Sequence, residues 1–317
     1  MKSWLQKINR KRVCIPLAII FGFLVYTIVI NRYSLVEGVG YLLDGITYKP
    51  VASNPVRQGG PFGIIHKLVS LSSQERMEAI KSTLLGEGVR LNAIPVIDGY
   101  ENIFVPGDVS NGFILVEAHY DKKMDDPAFQ AATDNTGSVA VLLSAIRYLK
   151  EELPKRPVGF LFTPLEERGL IGAHRFIEYA RQNEYRIKGV LCLDMVGRGK
   201  PVLATPANSA GFRFYVPFYG PILFDGRHLC KGPTSWGIDK SMVDTYLSKI
   251  DTYRAFLSHT NANAFIDAGT PAVHLEGNNM WHADQVWGRF TDTIDRLDEQ
   301  DLLQCKKLVE NLVKKLK

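Results

Sequence analysis

Side chains with imidazole or carboxylate donors recur along this chain at the ends of apolar runs: His119, Asp134, the pair Glu166-Glu167, and Asp194. GFILVEAHYD (112–121) is strand-like and ends in His-Tyr-Asp. AATDNTGS sets Asp134 just before a run of helical period, and VGFLFTPLEERGLIG (158–172) ends its strand in two glutamates. GVLCLDMVG (189–197) carries Asp194. Ligands of open α/β sheets bind beyond the carboxyl ends of the strands, so donors gathered at such ends point to a metal site. Zinc accepts imidazole nitrogen and carboxylate oxygen, and a catalytic zinc keeps one position for water. Two metals about 3.5–4 Å apart can share a carboxylate and clamp an attacking oxygen. Such a site needs a bridging carboxylate, two further ligands for each metal and a free carboxylate as base. Asp134 suits the bridge, His119 and Asp194 one metal, and Glu167 the other together with a later histidine. Glu166 is then the base, and Asp121 is placed to hold the His119 ring in one tautomer.

Each residue also has a structural reading. An aspartate before a helical run is by default an N-cap, which fits Asp134. Glu166-Glu167 reads as a solvated turn, and Asp194 as the cap of a loop. The ordered set is what favours the metal site.

At these positions the chain resembles the co-catalytic zinc exopeptidases that include the bacterial leucyl aminopeptidases, plasma glutamate carboxypeptidase and the glutaminyl cyclases. The pieces that carry the resemblance are AHYD (118–121), ATDNTGSVAVLL (132–143), LEERGLIGAHRF (165–176), LDMVGRG (193–199), AGTPAVHLEG (268–277) and TDTIDRLD (291–298). They run in the family's order over roughly residues 70 to 317. The resemblance implies Glu166 as base, Glu167 as ligand, Asp134 as bridge, and His119 and Asp194 on the other metal. It implies two Zn²⁺ ions and a peptide substrate with a free N-terminus. The family's last histidine falls at Gly288 in VWGRFTDTID. A short insertion would make His282, beside Trp281, the ligand; otherwise one metal is weak or absent and a single zinc remains. His274, in PAVHLEG, reads as a packed strand histidine. Thr260-Asn261 stands where the family has Ser-Asp, which bears on recognition of a substrate amine.

Composition fits a folded enzyme: 317 residues, 46% hydrophobic, 10% aromatic and 22% charged. The net charge of +5 resides in residues 1–12, where Lys2, Lys7, Arg10, Lys11 and Arg12 face no acid. Elsewhere basic and acidic residues balance, so no nucleic-acid partner is implied. Residues 13–30, VCIPLAIIFGFLVYTIVI, carry no charge and approach the length that spans a bilayer. The basic flank puts the N-terminus in the cytoplasm. A cleaved signal would have a shorter apolar region and a small-residue cleavage site, which INRYSLVEG does not offer. The reading is a basic tail (1–12), an uncleaved transmembrane signal anchor (13–30), a tether (31–60) and a zinc-peptidase-like domain (61–317) facing the periplasm, lumen or exterior. Cys192 reads as a buried core thiol; Cys230 and Cys305 could pair in an oxidising compartment.

The elements that must position the site follow from pattern. SSQERMEAIKSTLLGEG has a capping box of Ser72 and Glu75, with Gly86 as its stop. NAIPVIDGYENIFVPG predicts a hairpin about Asp98-Gly99. TGSVAVLLSAIRYLKEE predicts a helix ended by Pro154, as do residues 169–183 and 298–317, the last with a Lys-rich end suited to the helix dipole. Alternation of strands and helices predicts an α/β fold, a three-layer α/β/α sandwich with a mostly parallel mixed sheet, preceded by the transmembrane helix. The expected function is a membrane-anchored aminopeptidase. The alternatives are glutaminyl cyclase chemistry, a carboxypeptidase or dipeptidase of the same family, and a tethered binding domain without catalysis.

Overall fold

The strand FILVEAH is buried at every position, and so is VGFLFT. Strands of this kind need cover on both faces, as in parallel sheets wrapped by helices. The computed structural model of the protein describes residues 52–206, 212–216, 220–224, 252–255, 260–277 and 290–316. In chain order these hold α1 (Ile65–Leu68), α2 (Ser73–Gly86), β1 (Asn92–Pro95), β2 (Glu101–Pro106), β3 (Phe113–His119) and α3 (Gly137–Leu149). Then come β4 (Val158–Thr163), α4 (Ile171–Gln182), β5 (Ile187–Leu193), β6 (Pro201–Pro206), β7 (Phe212–Val216) and β8 (Gly220–Phe224). The last are β9 (Thr252–Ala255), α5 (Asn261–Asp267), β10 (Ala272–Gly277) and α6 (Glu299–Lys315).

The main sheet runs β1-β2-β4-β3-β5-β10-β6-β9. Its centre, β4-β3-β5-β10, is parallel. β2 and β6 flank that centre antiparallel, and β7 pairs with β8 apart from it. From β3 the chain builds outward on both sides, to β4 on one and to β5 and β10 on the other. β3 is therefore a switch point, and the crevice beyond its carboxyl end is where such folds bind ligands. Register aligns the ends that carry donors: His119 lies opposite Thr163, and Leu193 opposite Leu275.

Alternation along the strands makes two cores. Val116, Ala118, Phe160, Phe162, Leu191 and Leu193 pack with α2, α3 and α6. Phe113, Leu115, Leu161, Val190 and Cys192 face the other way, onto α4 and α5. Helices thus cover both faces of a mostly parallel sheet.

Local signals account for most element ends. Ser72 and Glu75 close the capping box of α2. The helix ends at Gly86, and the left-handed residue that stops it is Gly88, two positions on: its φ is +76°, and Val89 N–H donates to Leu84 O at 2.9 Å in a Schellman turn that favours glycine. Asp98 and Gly99 both have positive φ, the backbone of a type I′ hairpin turn between β1 and β2. Residues 52–60, placed in the tether by composition, lie against the start of α6. Asn54 donates from its backbone and side chain to Asp298, and Arg57 donates three times to the buried Glu299. Cys305 is a free thiol buried in α6. The apolar segment 13–30, Cys14, Cys230, His282 and Gly288 lie outside the described residues. Among the described residues no helix is long and apolar enough to cross a membrane.

Asp298 caps α6 by accepting from Gln300 N–H at 2.9 Å while holding Asn54. Asp298→Ala should lower the melting temperature by about 2–5 °C, and Asp298→Asn, which keeps the cap, by much less. Thermal denaturation of the two variants checks this; equal losses would remove the cap as the cause.

Candidate metal centre

His119 ends β3 with its imidazole buried at 2% exposure. Its Nε2 lies 3.2 Å from Asp134 Oδ1 and 3.6 Å from Asp194 Oδ1, and its Nδ1 lies 3.3 Å from Asp121 Oδ1. These contacts are close in distance, yet both ring nitrogens and Asp194 Oδ1 are buried without a hydrogen-bond partner. Buried polar atoms are almost always satisfied. Donor atoms of His119, Asp134 and Asp194 lying within 4.8 Å of one another, with the ring nitrogens and Asp194 Oδ1 left without hydrogen bonds, fit a divalent cation. The residues present can therefore hold the metal that the donor types suggest.

Three irregular turns present these groups. Residues Ala132–Thr136 form a wide turn in which Asp134 and Asn135 leave helical geometry, joined by a cis peptide bond, before α3 begins at Gly137. Asp134 is thus not the helix cap its sequence context suggested: the residue at that place is Thr136. Ala131, Leu165 and Met195 all take positive φ beside these turns, at 48°, 57° and 53°. Each such non-glycine residue costs about 1–3 kcal/mol and needs its surroundings to hold it. Those surroundings are visible. The carboxylate of Asp292 accepts from Thr133 N–H at 2.8 Å and Asp134 N–H at 2.9 Å. Asn135 Nδ2 donates to Leu193 O at 2.9 Å, tying the Asp134 turn to the strand before Asp194. Asp121 accepts from Glu166 N–H at 3.1 Å and Glu167 N–H at 3.2 Å, so it holds the glutamate turn while facing His119. Gly172 lets α4 close on that turn: a Cβ there would meet Pro164 O at 2.4 Å.

Crowded buried acids set the electrostatics. Burial alone would depress the His119 imidazolium, but the charges of Glu166 and the neighbouring aspartates outweigh it and raise the ring well above its ordinary value. Burial raises the carboxyl of Asp134, with His119 opposing, and drives Glu166 well above the usual range. Glu167 is pushed up to about 8 by burial and then by Asp134. Asp194 goes down: burial opposes this, but the adjacent His119 prevails. In the metal-free protein, a proton on His119 partly does the neutralising that a cation would do.

Glu166 and Glu167 are half-buried and sit among these groups, but Glu167 is not part of the close His119-Asp134-Asp194 set. His274 is buried in β10 with Nε2 3.4 Å from both Asp194 O and Glu276 Oε2, outside that set. His282 falls outside the described residues. Asn261 differs from expectation. Its side chain is buried and its Nδ2 donates to Glu117 Oε1 at 2.7 Å and Thr163 Oγ1 at 2.8 Å, so the amide serves an internal network, while Asn261 Oδ1 and Thr260 Oγ1 stay without hydrogen bonds. Asp292 was missed as a site residue, although its segment was noted. Glu117 was also missed, although an acid inside an otherwise apolar strand is a visible signal of a buried polar network.

A sheet switch point carrying a buried His/Asp/Asp group defines a metal-binding α/β protein. Residues 103–313 match peptidase family M28, and the chain belongs to this family. It is 36% identical over 89 residues to a vacuolar membrane protease of Candida albicans, a match covering 26% of this chain and 10% of that protein. The chain thus aligns with only about a tenth of that relative's length. The fold resembles the Legionella pneumophila LapA aminopeptidase, with TM-score 0.62, 15% identity, and 82% of this chain and 69% of that one covered. It also resembles the Porphyromonas gingivalis glutaminyl cyclase, with TM-score 0.57, 16% identity, and 81% and 98% covered.

Raised pKa values on His119 and Glu167 mean that protons must leave as a cation arrives. Zinc affinity should rise steeply from pH 6 to pH 8, with proton release on binding. Calorimetry in buffers of different ionisation enthalpy measures both; a pH-independent affinity without proton release would contradict the site.

Proposed function

We propose that this protein is a membrane-anchored, zinc-dependent aminopeptidase that removes N-terminal residues from peptides. The convergence of His119, Asp134 and Asp194 beside Glu166 at the switch point carries this reading, and membership of family M28 supports it. His119 and Asp194 would hold one zinc, and Asp134 would bridge to a second held by Glu167 and His282. If His282 is not a ligand, one zinc remains. When bound, zinc acidifies a water and polarises a carbonyl.

The chain's own groups do the rest. Glu166 takes the proton of the attacking water on its carboxylate and returns it to the leaving amine. Burial lifts its carboxyl first, and Asp194, Asp134 and Asp121 add to this; a cation held by Asp134 and Asp194 would offset the share that comes from those acids and favour the carboxylate that acts as base. Asp121 Oδ1 stands 3.3 Å from His119 Nδ1 and accepts from the Glu166 amide, so one carboxylate lies against both the ligand ring and the turn that carries the base. The apolar segment 13–30, together with the likeness to a protein named as a vacuolar membrane protease, supports an anchored enzyme. Its N-terminus would be cytoplasmic and its peptidase domain luminal, periplasmic or extracellular. A glutaminyl-cyclase-like activity is the second reading. It is favoured by the close set of three ligands, which suits a single metal.

Purified full-length protein should cleave aminoacyl amides with free N-termini, lose that activity to a chelator and regain it with zinc. Activity on N-blocked substrates alone, or cyclisation of N-terminal glutamine without cleavage, would replace the aminopeptidase reading. Glu166→Gln should bind zinc normally and lose about 10²–10⁴-fold in kcat. Loss of metal in that variant would make Glu166 a ligand instead.

A further inference from the structure

Arg76 lies on α2 with its side chain at 2% exposure, among the largest fully buried side chains among the described residues. A buried guanidinium is costly as mere packing, because desolvating the charge must be offset by well-placed partners. Its partners here are main-chain carbonyls. Nε donates to Leu68 O at 3.0 Å, Nη1 to Tyr120 O at 3.4 Å and Nη2 to Gln130 O at 2.6 Å. Tyr120 stands between His119 and Asp121, and Gln130 lies four residues before Asp134. One planar group therefore spans the two limbs of chain that deliver the His119 ring and the Asp134 carboxylate to the centre.

Neighbouring bonds reinforce the grip. Ser73, one turn earlier on α2, accepts from Lys122 N–H at 3.0 Å and donates from its backbone and hydroxyl to Asp125. Gln130 turns its side chain the other way and accepts from Ile294 N–H at 2.8 Å, beside the segment whose Asp292 holds Asp134. The charge of Arg76 is felt by Asp121, Asp292, Asp125 and Asp134, in that order. Burial lowers the guanidinium to about 10, so it remains a cation at neutral pH. Since its hydrogen bonds go to carbonyls, this cation offsets acid repulsion without occupying a ligand oxygen. Arg76 also precedes residue 103, where the match to family M28 begins.

We propose that Arg76 is a positioning residue of the metal centre: by bridging Tyr120 O and Gln130 O it holds the His119–Asp121 and Asp134 turns at the spacing a cation requires. This rests on the reading of His119, Asp134 and Asp194 as metal ligands.

The test measures zinc affinity of the full-length protein by competition with a chromophoric chelator, alongside melting temperature. The proteins are wild type, Arg76→Met, Arg76→Lys and Leu84→Ala, the last a core truncation on the same helix. Zinc binding should weaken by about 10–100-fold in Arg76→Met and about 3–10-fold in Arg76→Lys, which keeps charge but not the planar fork. Leu84→Ala should lose melting temperature and keep its zinc affinity. Losses under threefold in the folded Arg76 variants, or an equal loss in Leu84→Ala, would overturn the proposal. If Arg76→Met fails to fold, Arg76→Lys decides by the same threefold limit. A wild type that binds no zinc would instead overturn the ligand reading, and the proposal with it.

Discussion

Repulsion among the carboxylates of Asp121, Asp134, Asp194, Glu166 and Glu167, gathered about one buried imidazole, is the constraint on which the rest of the structure depends. Two unit charges 4 Å apart cost or gain about 4 kcal/mol at an effective dielectric of 20. Several like charges at such spacing rival the whole stability of a domain, about 5–15 kcal/mol. The fold must therefore both force the acids together and provide for their neutralisation. Protonation supplies part of this in the metal-free state, through His119 and Glu166. A cation would supply it more fully, and the unsatisfied His119 Nε2 beside Asp134 and Asp194 marks where it fits.

The forcing comes from backbone ties. Asp292 holds the amides of Thr133 and Asp134, Asp121 those of Glu166 and Glu167, and Asn135 reaches Leu193 O. Asp121 joins the end of β3 to the glutamate turn, Asn135 joins the Asp134 turn to the end of β5, and Asp292 holds the Asp134 turn from the segment before α6, so these turns are held in conformations that none would adopt alone. The parallel strands beneath set the spacing of the turns, and the two helix-covered cores keep the strands rigid. Segments before the family match add to this: α2 through Arg76, and residues 54–57 through Asp298 and Glu299 at the start of α6.

Sequence exposed the part of this that depends on local pattern. His119 and Asp194 could be read because each closes an apolar run, where a strand end fixes which way the next residue points, and Asp134 because it stands just before a run of helical period. The Asp98-Gly99 turn and the Ser72 cap were legible for the same local reason. The ties were not. Asp292 lies 158 residues from the Asp134 amide it holds, and nothing in its own segment names that partner. Arg76 sits in a helix with charged neighbours, where an arginine is ordinarily solvent-facing, and only the tertiary fold turns it inward. The helix ends at Gly86, yet positive φ falls to Gly88, because the left-handed residue comes one position past the C-cap Glu87. Asn261 was read by its place in a motif, whereas its role follows from Glu117, which lies 144 residues away.

The most direct measurement of the central claim is X-ray absorption at the zinc edge on zinc-loaded full-length protein. The account predicts nitrogen and oxygen neighbours at about 2.0–2.2 Å, with the outer-shell signature of imidazole and no sulfur. Loss of the imidazole signature in His119→Ala would place His119 on the metal. A shell containing sulfur near about 2.3 Å, or a spectrum unchanged by that substitution, would contradict a centre built on His119, Asp134 and Asp194.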